Sequence, residues 1–109
     1  MKYTIEQLKD KTDAELNLIA FLAQGWNDHN FDLPNYTPTT NKEQAVDLMI
    51  KYEVFPDSYM AGYYYFAKFR SMPMFTKEYL LRAVTMASIL SAQTCCLLEM
   101  ILSTSQIKG

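Results

Sequence analysis

Tyr63-Tyr64-Tyr65-Phe66-Ala67-Lys68-Phe69-Arg70 is the stretch on which the fold of this chain turns. Its aromatic residues are β-prone. Alternation puts Tyr63, Tyr65, Ala67 and Phe69 on one face of a strand and Tyr64, Phe66 and Lys68 on the other. Val54 and Phe55 lie just upstream, with turn material at Pro56–Ser58 and again at Gly62. Two antiparallel strands over about 53–58 and 63–70 follow from this reading. Because both faces are aromatic, such a hairpin is either covered on both sides or covered on one and offered to a partner.

The same stretch mixes aromatics with bases. Protein interfaces concentrate their binding energy in this kind of side chain, and single-stranded nucleic acid also stacks on it. Core packing is the plainest role for the tyrosines, with Lys68 and Arg70 at the exit of the strand. As an interface, the segment assigns partner binding to Tyr63, Tyr65, Lys68, Phe69 and Arg70.

Downstream, Ser71–Phe75 with Pro73 reads as a connection, and Thr76 caps a last helix running from about Lys77 to Leu102. From Ala83 to Leu98 this helix has sixteen residues without a charge. A helix that is apolar nearly all round must be covered nearly all round. A chain of 109 residues has little surface to spare for this, so a partner is expected. One stripe can pack on the sheet, and the other meets either the domain's own first helices or a second copy of the chain. Leu90, Leu97 and Ile101 fall on one stripe and are the candidates for self-association, making a homo-oligomer the expectation.

Upstream, Thr4-x-x-Gln7 and Thr12-x-x-Glu15 both have capping-box spacing. The first opens a short turn carrying Ile5 and Leu8. The second opens a helix over about 13–24, with Leu16, Ile19, Ala20 and Ala23 on one stripe and Gly25 as its stop. Pro34 and Pro38 keep 25–40 irregular, and Trp26, Phe31, Leu33 and Tyr36 are available to pin it. Thr40-x-x-Glu43 and Asn41-x-x-Gln44 then begin a helix over about 42–52, whose buried stripe is Ala45, Val46, Met49 and Ile50.

Half of the residues are hydrophobic and a fifth are charged, which fits one folded domain over 1–109. The net charge of −2 disfavours a dedicated nucleic-acid binder. It also conceals an asymmetry. Residues 1–57 hold ten acids and five bases (−5), whereas residues 58–109 hold two acids and five bases (+3). No basic and apolar leader opens the chain, so no signal peptide is expected. The uncharged run is too short and too diluted by hydroxyl and amide groups for a membrane span.

Catalysis is hard to build from these residues. Cys95 and Cys96 are adjacent and read as reduced structural thiols, and with one histidine there is no zinc-type ligand set. His29, between Asp28 and Asp32, reads as a solvated loop residue rather than an acid–base or metal group. Three glycines and no GxSxG, Walker or GxGxxG pattern leave no nucleophile elbow and no phosphate-cradling loop. No catalytic residue, metal or cofactor is expected.

Several motifs resemble small bacteriophage proteins of the ABA-sandwich, NinX-like type, over about residues 10–92. They are Thr12-Asp13-Ala14-Glu15-Leu16, then Asn35-Tyr36-Thr37-Pro38 leading to Asn41. Ala45 to Tyr52 with Leu48 and Lys51, and the Arg82-Ala83 pair, complete the match. The resemblance implies a phage or prophage origin and an α/β/α layering, and transfers no activity. The combined expectation is an α+β domain: two N-terminal helices, a short antiparallel aromatic hairpin and a long C-terminal helix. Its expected role is stoichiometric, non-enzymatic binding to a host protein in the bacterial cytoplasm, with a defence component as one target. The alternative is a small-ligand or nucleotide-binding homo-oligomer.

Overall fold

Ten consecutive residues, Ala83 through Ala92, are buried, and they form the middle of the longest helix. In the computed structural model, residues 2–25, 35–55 and 61–108 are described, with side chains described as far as residue 94. The described residues form five helices: α1 (Ile5–Lys9), α2 (Asp13–Ala23), α3 (Lys42–Tyr52), α4 (Ala61–Arg70) and α5 (Leu80–Lys108). The other four all pack on α5, and α3 also packs on α4.

This arrangement answers the burial problem posed by the uncharged run. The chain's own helices surround residues 83–92, so no partner is required to cover them. Alanines and serines at 83, 87, 88, 91 and 92 let neighbouring helices approach closely. The hydroxyls are buried at little cost because they bond within the helix. Thr85 Oγ1 donates to the Leu81 carbonyl at 2.9 Å, and Ser88 Oγ donates to that of Val84 at 2.8 Å.

The expected hairpin is absent. Residues 61–70 are helical, no strand occurs among the described residues, and the α+β class and its α/β/α layering are therefore corrected to an all-helical fold. Of the first expected strand, residues 53–55 are non-helical chain and 56–58 lie outside the described residues. The reason is periodicity. Gly62, Phe66 and Phe69, at i, i+4 and i+7, are the buried residues of α4. A helix buries these on one face and satisfies its backbone internally, whereas a two-stranded ribbon alone is marginal in water and here would need cover on both faces. Lys68 and Arg70 in the last turn also complement the helix dipole.

Local signals set the remaining elements. Thr4 with Gln7 and Thr12 with Glu15 form complete capping boxes, and the Asn41 side chain accepts from Gln44 N at the start of α3. The Glu15 carboxyl is held below its usual range by its bond to the Thr12 backbone. Before α3, Asn17 Oδ1 accepts from both the amide and the hydroxyl of Thr39, at 3.2 and 3.0 Å. The Gln44 side chain holds Thr37 N and the Asn35 carbonyl, at 2.7 and 2.6 Å.

Two side chains of α5 anchor the N-terminal segment. Gln93 bonds both the amide and the carbonyl of Tyr3, at 2.7 and 3.0 Å. Arg82 donates to the Lys9 carbonyl at 3.1 Å, to the Lys11 carbonyl, and to Asp13 Oδ1 at 2.7 Å. Both span long sequence separations, so they tie the beginning of the fold to its central helix. Among the described residues, no helix is long and apolar enough to cross a membrane.

Candidate protein-binding face

Helix α4 places the aromatic–basic stretch around a cylinder, which separates residues that alternation had grouped. Phe69 is 0% exposed and belongs to the core. Tyr65 is half-buried, and its hydroxyl shares a hydrogen bond with Thr94 Oγ1 of α5 at 3.0 Å. These two hold the helix down. Lys68 and Arg70 remain toward solvent, joined by Tyr64, which is 56% exposed, while Tyr63 is partly buried against the core at the edge of this face.

Each cation on this face meets a tyrosine of the same helix. Lys68 Nζ lies 4.7 Å from the centroid of the Tyr64 ring, one helical turn back. Arg70 donates to the Tyr63 hydroxyl at 3.3 Å, two turns back. Neither cation forms a salt bridge among the described residues, where the ion pairs are Lys9–Glu6 and Arg82–Asp13. The sequence from Ser58 to Lys77 contains three bases and no acid, with Asp57 and Glu78 at its two edges. Just beyond the helix, Met74 adds exposed apolar surface, at 46%.

Alternation gave no separate reason to choose Tyr64. The helical period does, because Tyr64 and Lys68 are an i, i+4 pair. Met74 carried no periodic signal, since it lies in the turn region between helices.

The self-association stripe divides in the structure. Leu90 is 4% exposed within a single copy and cannot face another copy of this fold. The side chains of Leu97 and Ile101, and those of Cys95 and Cys96, lie outside the described residues. So do His29, Asp28, Asp32, Trp26, Phe31 and Leu33. Among the described residues, no group of three His, Cys, Asp or Glu side chains is placed to hold a metal ion.

Tyrosines, an arginine, a lysine and a methionine on one exposed helix and its exit are suited to recognition. Aromatics, Met and Arg are enriched at protein interfaces, and here the Tyr64 ring and the Tyr63 hydroxyl each already order a flexible cation. This reduces the rotamer entropy lost on binding. No family model, curated protein or solved structure matches this chain.

Proposed function

We propose that this chain is a non-enzymatic phage or prophage accessory protein acting by stoichiometric binding to a host protein, with a defence-system component as the target class. The outward face of α4 is the binding surface, and the bacterial cytoplasm is the place of action. The observation that carries the binding reading is the exposed set Tyr64, Lys68 and Arg70 beside the partly buried Tyr63, whose cations rest on phenol groups without a salt bridge among the described residues. The phage part rests on the sequence resemblance.

The test is capture from a bacterial host lysate, identified by mass spectrometry, with Lys68→Glu and Arg70→Glu as variants. Both side chains are exposed, so circular dichroism melts stay close to wild type. Capture weakens at least tenfold, about 1.4 kcal/mol. A partner retained at full strength by both variants and by Tyr64→Ala overturns α4 as the interface.

A further inference from the structure

The arrangement of cations around α4 narrows the chemistry of its partner. At about 100° per residue, Tyr63 and Arg70 form one column along the helix and Tyr64 and Lys68 a second, roughly 130° away. Between them lie Ala67 and Ser71, two small residues that form a low floor. Ser71 continues the last turn, since its amide bonds the Ala67 carbonyl at 3.1 Å. From Tyr63 to Arg70 the channel is roughly 10 Å long, about three residues of an extended chain.

Each wall ends in a cation, and neither cation has a carboxylate partner among the described residues. The groups that complete this surface are therefore anions flanking a narrow chain. Nucleic acid fits it less well. An unspecific single-strand groove needs open ring faces and a longer basic track. Tyr64 has Lys68 over its ring and meets Tyr65 edge-on, with centroids 5.4 Å apart and planes at 69°.

We infer that the α4 channel docks an acidic polypeptide segment, its carboxylates meeting Lys68 and Arg70 while its chain lies over Ala67 and Ser71. This rests on the reading of α4 as the binding face. The probe is a short fluorescein-labelled peptide of alternating glutamate and leucine, followed by anisotropy on the full chain. A twin with glutamine for glutamate and a single-stranded DNA oligomer of equal charge serve as comparisons.

The glutamate peptide binds, weakens at least tenfold with either Lys68→Glu or Arg70→Glu, and weakens further as salt rises; the glutamine twin does not bind. DNA binding as tight as the peptide through the same two residues overturns the inference, as does peptide binding indifferent to both reversals. Lysate capture separates the two levels of the argument. A partner lost with Tyr64→Ala but retained by both charge reversals overturns the acidic segment and leaves the face. A partner indifferent to all three substitutions overturns the face as well.

Discussion

Replacing Gly62 by alanine tests how α4 is seated. Alanine is the better helix former by about 1 kcal/mol, so propensity alone predicts a more stable protein. The structure predicts the reverse. A Cβ built at Gly62 lies 2.0 Å from the carbonyl oxygen of Tyr52 and 3.0 Å from Val54 Cγ2. Real Cβ contacts essentially never fall below 3.0 Å, so the gap to that oxygen must open by about an ångström. The carbonyl cannot easily withdraw. It belongs to the last residue of α3, which is closed by Glu53 in the left-handed conformation and by a 2.9 Å bond from Val54 N to the Met49 carbonyl.

Helix α4 must therefore lift, taking Phe66 and Phe69 partly away from α5. Overpacking of this kind costs roughly 1–3 kcal/mol, and a gap of an ångström beside two phenylalanines forfeits a further share of their dispersion contacts. After subtracting the propensity gain, the net loss is about 2 kcal/mol, or roughly 10 °C in melting temperature for a domain of this size. Gly25→Ala is the internal reference. Its site is open but has φ +84, so only backbone strain is incurred, about 1 kcal/mol. Thermal melts by circular dichroism on both variants give the comparison. A Gly62→Ala melt equal to or above wild type refutes the seating argument. Rescue of that variant by Val54→Ala refutes the assignment of the clash to backbone.

Arg82→Met keeps the aliphatic stem but withdraws donors from two carbonyls, and should cost about 2–4 kcal/mol in urea denaturation. Asp13 contributes little of this because its side chain is 55% exposed, and Arg82→Lys should restore less than half. Leu90→Glu puts a carboxylate into the centre of the fold and should abolish the cooperative melt, since several kcal/mol is a large part of total stability. A well-folded monomer from that variant contradicts the burial described here. Tyr36 is half-buried, and desolvation raises its phenol above its usual pKa. The neutral ring is thus favoured in the fold, and its contribution is complete below about pH 10 and is lost as pH rises through the folded value. Tyr36→Phe should flatten the alkaline limb of the stability profile, and an unchanged limb counts against this.

Helix ends were the most readable part of this sequence. The capping box at Thr12 and the N-cap at Asn41 place α2 and α3 within a residue of the observed bounds, because a cap is set by neighbours in sequence. The last helix was also legible, although it begins at Leu80 rather than Lys77 and continues to Lys108. What failed was α4. Four adjacent aromatics carry high β propensity, but that scale measures fit to a half-covered sheet and no sheet is available here. The spacing of Gly62, Phe66 and Phe69 held the correct signal in the same ten residues. The misassigned period also distorted the candidate site, admitting the buried Phe69 and omitting the exposed Tyr64, whereas Lys68 and Arg70 are exposed and Tyr63 is partly buried against the core. The cover over α5 was legible only as one of two alternatives, the chain's own first helices or a second copy, since it depends on four helices converging from distant parts of the chain.

That convergence constrains the order of events during synthesis. Helices α1 to α4 all leave the ribosome before the helix they pack against. Until residues 80–92 emerge, Leu8, Leu16, Leu48 and Phe69 have no common surface to bury on. The bond between Tyr3 and Gln93 joins residues 90 positions apart, so Tyr3 waits for a partner made 90 residues later. At 5–20 residues per second this leaves most of the chain exposed for roughly 4–18 s. Chaperone dependence in the cell should therefore track the rate of elongation, and a nascent chain stalled before residue 80 should be a substrate for proteolysis at every point along its length.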